Sequence, residues 1–143
     1  MTSSGRLAAM GTSPRAIMHH YDLSDDFFRI WLGPDMVYSC GWWEAADGGD
    51  LLAQAQHRKL DFFADRLGVR GGRVLDVGCG WGALLDRFVR VHGAASGVGL
   101  TLSPSQADFA GRRNVPGVSY LLRNWTDHEP GEPYDAARSK NAR

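Results

Sequence analysis

The sequence lacks most of the features that mark specialised classes of protein. It has only 2 cysteines in 143 residues, and 16 lysines and arginines balance 16 aspartates and glutamates. So few cysteines build neither a disulfide framework nor a zinc cluster, and we expect reduced thiols and no metal site. Balanced charge provides no overall field to attract nucleic acid or anionic lipid. No apolar run approaches the roughly 20 residues of a membrane-spanning helix, and none near Met1 resembles a signal peptide. We therefore expect a cytoplasmic protein that does not bind nucleic acid.

The remaining composition is that of one folded domain. Hydrophobic residues make up 43% of the chain, which suffices for a single core of this size. Residues 1–12 are rich in Ser, Thr and Gly, and we expect them to be disordered. Residues 13–70 are predicted to form a helical lid or cap, with helix starts at Ser13-Pro14 and at Ser24 and a third helix over 51–68.

From residue 71 onward, short apolar runs alternate with amphipathic stretches. The pattern predicts strands at 73–77, 95–100 and 118–122, and helices at 83–91 and 103–112. Alternation of strand and helix is typical of a parallel sheet with crossover helices. The sequence therefore predicts an α/β fold, a doubly wound parallel sheet preceded by a helical segment.

A glycine turn, Gly78-Cys79-Gly80-Trp81-Gly82, joins the first predicted strand to its helix. Glycine permits a tight turn and close approach of the backbone to a ligand, and the helix start adds free N–H groups. The spacing also fits the dinucleotide fingerprint, but that fingerprint has an acid about 20 residues later, and residues 99–103 contain none. Asp76 favours the S-adenosylmethionine (SAM) form of the turn, in which this carboxylate anchors the loop and the methionyl ammonium. NAD is the second choice, and a turn without a ligand is the remaining alternative.

Four motifs are more specific together than the turn is alone. They are His20-Tyr21-Asp22-Leu23-Ser24-Asp25-Asp26-Phe27-Phe28, Tyr38-Ser39-Cys40, Leu75-Asp76-Val77-Gly78-Cys79-Gly80-Trp81-Gly82 and Leu100-Thr101-Leu102-Ser103-Pro104-Ser105-Gln106. In this order and at this spacing they resemble the cyclopropane-fatty-acid synthase family, which includes the mycolic acid cyclopropane synthases. The resemblance covers nearly all of the chain from about Ala16. It implies a Rossmann-like class I SAM-dependent methyltransferase fold, with residues 71–143 as the N-terminal half of the SAM-binding domain.

The resemblance also implies which residues contact SAM. Tyr38 and Ser39 reach the cofactor from the N-terminal segment, Gln106 replaces the missing strand-end acid, and Trp125 lies beside the adenine. Two alternatives stay open: Ser103 and Gln106 also form a capping box, and Trp125 also suits an ordinary core or surface position. The predicted cofactor residues are Tyr38, Ser39, Asp76, Gly78, Cys79, Gly80, Thr101, Leu102, Ser103, Gln106 and Trp125.

For the reaction, the resemblance implies transfer of a methyl or methylene group from SAM to the double bond of an unsaturated acyl chain. A bound bicarbonate is the implied base, held partly by the backbone around Cys40; the alternative for Cys40 is a buried, inert thiol. The apolar residues at 27–32 suit either packing within the domain or a lipid surface, with at most peripheral membrane contact. Alternative functions are a small-molecule C- or N-methyltransferase and a non-catalytic SAM-binding remnant.

The end of the sequence departs from the family pattern. Family members are longer, and Arg138, Lys140 and Arg143 fall where the family's fourth strand is apolar. Unpaired charges are costly in a strand buried on both faces. We therefore expect the 143-residue chain to be inactive by itself and marginally folded, with an uncovered sheet edge and face that favour association.

Overall fold

The computed structural model describes residues 24–44 and 52–139. The predicted strands 73–77 and 118–122 match the structure to the residue, and the strand predicted at 95–100 begins and ends one residue later. The helix predicted from Ser13 and the disorder predicted for residues 1–12 lie outside the described residues. In chain order the elements are α1 (Asp25–Leu32), α2 (Leu52–Leu67), β1 (Arg73–Val77), α3 (Ala83–Arg90), β2 (Ser96–Thr101), α4 (Pro104–Arg112), β3 (Val118–Leu122), a 3-10 helix (Trp125–Asp127) and β4 (Ala136–Ser139).

The described strands form one parallel sheet in the order β3-β2-β1-β4. Val74 of β1 lies opposite Gly97 of β2 on one side and opposite Ala136 of β4 on the other. The chain thus runs outward from β1 through β2 to β3, and then returns to the far side of β1. Open α/β sheets bind their ligands at such a reversal, beyond the carboxyl ends of the strands. The predicted α/β class is confirmed, and the reversal lies beside the glycine turn.

Helices α3 and α4 pack on the same face of this sheet. A Cβ atom on Gly97 of β2 would lie 2.9 Å from Leu85 of α3, and one on Gly82 would lie 2.9 Å from Ala110 of α4. Buried apolar side chains fill the space between α2, α3 and the sheet; they include Leu60, Ala64, Val74, Leu84, Leu85 and Phe88. This core fixes the start of α3, and with it the glycine turn.

The other face of the sheet is less covered. Successive side chains of a strand point to opposite faces. On the face opposite Val74 and Asp76, Leu100 is buried, but four other apolar side chains are half-buried, namely Leu75, Val77, Val98 and Leu121. β4 is an edge strand of the described sheet. Both features agree with the expected uncovered edge and face, and association through them stays a prediction.

Helix α1 fastens the N-terminal segment to the glycine turn. It begins at the predicted N-cap, Ser24, and ends at Gly33, whose φ is 71°. Phe28 and Leu32 are buried against Trp81 of the turn, as expected for a helix that packs on its own domain. The predicted boundary between a lid or cap segment (13–70) and the SAM-binding domain (71–143) stays a prediction. The other apolar side chains of α1 are exposed, namely Phe27, Ile30 and Trp31.

Strand β4 forms despite its charged sequence. The expectation of an unpaired charge is wrong for Arg138, because its guanidinium lies 3.4 Å from a carboxylate oxygen of Asp76. Asp76 and Arg138 occupy the same register position of β1 and β4, so the pairing of the strands brings the charges together. Lys140 and Arg143 lie outside the described residues. Among the described helices, none combines the length and the apolar character that crossing a membrane requires.

Candidate active site

The glycine turn leaves β1 at the point where the strand order reverses. Gly78, Gly80 and Gly82 have φ angles of 80°, 56° and 87°, in the left-handed region that residues with a Cβ seldom adopt. The amides of Gly78 and Cys79 both donate to the carbonyl of Leu100 at 2.9 Å. The turn is therefore tied to the end of β2, and its positive φ angles explain why glycine occupies these three positions.

Two of these glycines serve different purposes. A Cβ on Gly82 would lie 2.8 Å from the ring of Tyr120 and 2.9 Å from Ala110, so close packing requires glycine there. Around Gly80, in contrast, no atom of the described residues other than its two chain neighbours lies within 4 Å of the Cβ position. Gly80 nevertheless lines a cavity. Its backbone is therefore open to a ligand.

The cavity measures about 50 Å³ and lies between the turn, α2 and the segment that follows α1. Holding one water takes about 10–15 Å³, and drug-sized ligands occupy pockets of about 300–1,000 Å³. A nucleoside cofactor therefore needs side chains to move aside. Of the predicted site residues, the cavity is lined by Tyr38, Ser39, Asp76, Gly78, Cys79, Gly80 and Gln106. The residues not among its lining are Cys40, Thr101, Leu102, Ser103 and Trp125.

A buried ion pair forms one wall of this cavity. The Asp76 side chain is 1% exposed and that of Arg138 is 18% exposed. The guanidinium also lies 5.2 Å from the centre of the Phe63 ring. Arg138 thus places a positive charge on the acid that the glycine-turn pattern assigns to a cofactor.

The start of α3 provides the opposite charge. Its N-cap is Gly82, which has no side chain to accept from the free amides of the first turn. Ala83 and Leu84, the first residues of α3, line the cavity. Free amides and the helix dipole together favour a negative group at this position. The cavity therefore offers a carboxylate at one side and a helix N-terminus at another.

Two residues of α2 that the sequence analysis did not assign to the site contact the predicted cofactor segment. The side-chain amide of Gln56 donates to the carbonyl of Ser39 at 2.6 Å. The ammonium of Lys59 donates to Ser39 Oγ at 2.6 Å and to the carbonyl of Cys40 at 3.0 Å. Both side chains are buried. The sequence contains one signal that could have identified them: both are polar residues on the apolar stripe of an amphipathic helix.

The stretch after β2 combines capping with a buried side-chain network. Ser103 caps α4 by accepting from the amide of Gln106. The side chain of Gln106 does not complete the box; instead it accepts from Thr101 Oγ1 at 2.7 Å. The amide of Ser103 donates to the same Thr101 oxygen. The capping alternative is thus half correct, and Gln106 remains a lining residue of the cavity.

Trp125 and Cys40 lie apart from the cavity lining. Trp125 begins the 3-10 helix and is 64% exposed, so it is a surface aromatic in this structure. Cys40 is a free and exposed thiol, and the alternative of a buried, inert thiol is wrong for it. Its carbonyl, the group implied for a bound base, accepts from Lys59.

The Cys79 thiol and the Tyr120 hydroxyl, which pack under the turn, are neutral at pH 7. Burial raises the pKa of the Cys79 thiol well above its usual range, and the negative charge of Asp76 raises it further. Burial likewise raises the pKa of Tyr120, whose hydroxyl donates to the carbonyl of Gly82 at 3.0 Å. These two residues support the turn and provide neither a nucleophile nor a base. In the described residues, no group of three or more His, Cys, Asp and Glu side chains suits a metal ion.

A parallel sheet that reverses its order beside an acid-led glycine turn is typical of class I SAM-dependent methyltransferases, and the chain has this fold, since solved structures of such enzymes superpose on it. Within that class, the chain belongs to the mycolic acid cyclopropane synthetase family, whose model matches residues 10–124. The predicted fold and family resemblance are both confirmed.

Three known proteins show the extent of the similarity. Cyclopropane mycolic acid synthase 1 of Mycobacterium tuberculosis is 42% identical over 125 residues, which are 83% of this chain and 42% of the relative. The crystal structure of mycolic acid cyclopropane synthase CmaA1 complexed with SAH and CTAB superposes with a TM-score of 0.79 at 39% identity, over 90% of this chain and 45% of that one. Coclaurine N-methyltransferase bound to N-methylheliamine and SAH superposes with a TM-score of 0.73 at 29% identity, over 82% of this chain and 35% of that one. This chain thus spans less than half of each of these proteins.

Proposed function

We propose that this chain binds SAM and belongs to an enzyme that transfers a methyl or methylene group to the double bond of an unsaturated acyl chain. Family membership supports the reaction class. The observation that carries the proposal is the open backbone of Gly80 at the strand-order reversal, between Asp76 and the uncapped start of α3. Asp76, Gly80 and the start of α3 all lie within residues 10–124, which the family model matches.

The charges of the cavity match the methionyl end of SAM, which carries an ammonium and a carboxylate. Asp76 complements the ammonium, and the free amides at the start of α3 complement the carboxylate. Tyr38 and Ser39 form the facing wall. SAM itself supplies a methyl group made electrophilic by its sulfonium charge. NAD contains no such zwitterion, so the cavity favours SAM over the second choice of ligand.

The adenosyl end of SAM fits the stretch after β2. Gln106 lines the cavity, and its side chain is held by Thr101. We propose that this amide, with the backbone at Leu102 and Ser103, replaces the acid that dinucleotide-binding sheets use for the ribose. Trp125, which is 64% exposed, covers the adenine only if the 3-10 helix shifts towards it.

The acyl substrate and the base are proposed from the family. Bicarbonate is the base that the family implies, and the backbone of Cys40 is the part of this chain that would hold it. The exposed apolar side chains of α1, namely Phe27, Ile30 and Trp31, suit an acyl lipid and at most peripheral membrane contact. The free thiols of Cys40 and Cys79 suit the proposed cytoplasmic location.

Calorimetry of two glycine variants tests the cofactor proposal. Gly80→Ala and Gly68→Ala both place a Cβ at positive φ, at 56° and 61°, and no described atom beyond the chain neighbours lies within 4 Å of either position. Each substitution costs about 1 kcal/mol of stability for that reason. Only Gly80 lines the cavity, so only Gly80→Ala should weaken SAM and S-adenosylhomocysteine binding, by about tenfold or more.

The outcomes that contradict the proposal are specific. One is failure of SAM and S-adenosylhomocysteine to bind the wild-type chain at millimolar concentration. Another is equal loss of binding in both glycine variants, which would assign the loss to strain rather than to the site. A third is tighter binding of NAD than of SAM, which would restore the dinucleotide alternative.

A second candidate is methyl transfer to the nitrogen or carbon of a small molecule. The similarity to coclaurine N-methyltransferase favours it, since that enzyme shares the fold at 29% identity. Methyl-labelled SAM, offered with an unsaturated acyl lipid and separately with an aromatic amine, distinguishes the two. Label in the amine alone would favour the second candidate. Transfer to neither acceptor is the result expected if the chain is inactive by itself, and it is also the result expected from the non-catalytic alternative.

A further inference from the structure

Two side chains of α2 clamp the segment that forms the wall opposite the glycine turn. The segment 37–40 has no regular secondary structure, so no strand partner supports its backbone. Its polar groups bond instead to Gln56 and Lys59, which are 2% and 9% exposed. The Gln56 amide donates to the carbonyls of Val37 and Ser39 at 3.4 and 2.6 Å.

Lys59 is fully engaged in the same clamp. An ammonium has three N–H donors, and those of Lys59 meet Ser39 Oγ, the carbonyl of Cys40 and the side-chain oxygen of Gln56. The two clamp residues therefore bond to each other as well as to the segment. One further bond extends the attachment, because the amide of Trp42 donates to the carbonyl of Ala55 at 2.9 Å.

Packing alone does not explain why a charged side chain, Lys59, is buried at this position. Burying an ammonium is costly even when it is hydrogen-bonded, and an apolar side chain of similar volume would fill the space at lower cost. Lys59 also lines the cavity together with Tyr38, Ser39, Asp76 and Gly80. The clamp therefore determines the distance across the cavity between Ser39 and the glycine turn.

We propose that Lys59 and Gln56 are positioning residues for the methionyl end of SAM. They act through Tyr38 and Ser39, which they hold against the part of the cavity that contains Asp76 and the start of α3. This inference rests on the proposed SAM site and adds that α2 determines the cofactor's amino-acid subsite. The adenosyl end, near Gln106, is independent of the clamp.

Two ligands separate positioning from general support of the fold. S-adenosylhomocysteine contains the amino-acid part, and methylthioadenosine lacks it. Lys59→Met keeps most of the side-chain volume and removes all three donors. We expect it to weaken S-adenosylhomocysteine binding by about tenfold or more and to leave methylthioadenosine binding unchanged. Arg66→Met, which removes a cation from the same helix where the side chain lies over Phe62, should change neither affinity.

A double-mutant cycle identifies the route of the effect. If Lys59 acts through the Ser39 hydroxyl, then Lys59→Met should weaken S-adenosylhomocysteine binding less in a Ser39→Ala background than in the wild type. Gln56→Leu serves if Lys59→Met fails to fold, because it removes the other clamp donor at a residue that does not line the cavity. It should then show the same preference for loss of the amino-acid ligand. Melting curves without ligand report folding separately.

Each other outcome overturns the inference. Equal loss of both ligands in Lys59→Met, or of neither, would make the clamp purely structural. Additive effects of Lys59→Met and Ser39→Ala on S-adenosylhomocysteine binding would show that Lys59 does not act through the Ser39 hydroxyl. If the wild-type chain binds methylthioadenosine but not S-adenosylhomocysteine, there is no amino-acid subsite to position. If it binds neither, the proposed SAM site itself is wrong and the inference is wrong with it.

Discussion

Removing the positive charge of the Asp76–Arg138 ion pair should lower the stability of the fold and strengthen the binding of SAM. The Asp76 carboxylate is 1% exposed and 3.4 Å from the guanidinium. Arg138→Met removes the charge and keeps an apolar stem against Phe63. Leaving one member of a buried pair without its partner costs about 3–5 kcal/mol. Because the Arg138 side chain is 18% exposed, we expect the lower end, about 3 kcal/mol.

The melting temperature of Arg138→Met should therefore fall by about 10 °C, given about 3–4 °C per kcal/mol for a chain of this size. SAM binding should become tighter by about tenfold or more. The methionyl ammonium no longer competes with a guanidinium for Asp76, and a side chain that lines the 50 Å³ cavity has become smaller and uncharged. Ligand should consequently restore more of the melting temperature in this variant than in the wild type.

Differential scanning fluorimetry and calorimetry with SAM measure both effects. Arg112→Met is the control, since Arg112 is 58% exposed, pairs with Asp108 and with Asp25, and does not line the cavity. That change should cost about 1 kcal/mol or less and leave SAM binding unchanged. A stable Arg138→Met chain would show that the pair contributes little. A destabilised variant with weaker or unchanged SAM affinity would show that Arg138 does not compete with the cofactor.

Two further predictions follow from the titratable groups. The hydrogen bond from Arg87 holds the pKa of Asp61 below its usual range, with a smaller contribution from His92. A carboxylate whose pKa is lower in the folded than in the unfolded state stabilises the fold at pH values above its unfolded pKa, and this stabilisation is lost as the pH falls through its folded pKa. Asp61→Asn should therefore lower the melting temperature at pH 7. The difference in melting temperature between variant and wild type should shrink below about pH 4. Thiol reagents at pH 7 should modify the exposed Cys40 first, because Cys79 is buried and its pKa is raised; peptide mass spectrometry that finds Cys79 labelled first would contradict this.

Local chemistry accounts for the parts of the fold that could be predicted. Ser24 and Ser103 cap the helices that follow them, and Gly33 ends the first of these at positive φ. Capping and positive φ depend on neighbours within about four residues. The glycine turn belongs to the same group, since its φ angles and its place after β1 follow from residues 73–82. Motif spacing then extends this local information to the family.

The parts that could not be predicted depend on pairs of residues far apart in the chain. Arg138 was expected to be an unpaired charge, and only the alignment of β4 with β1 places it on Asp76, 62 residues away. Lys59 was not assigned to the site, and only the docking of α2 brings its ammonium to Ser39, 20 residues earlier. Neither contact leaves a periodic signal.

By itself, the sequence determined the elements, the glycine turn and the family, because each rests on short-range chemistry or on the spacing of motifs. Only the tertiary structure decided which polar side chains share the cavity and which charge Asp76 meets. Strand order and helix docking bring distant residues within hydrogen-bond distance, and no local preference encodes those distances. For the same physical reason, the cavity of about 50 Å³ and the side chains that must move to admit a cofactor are tertiary properties.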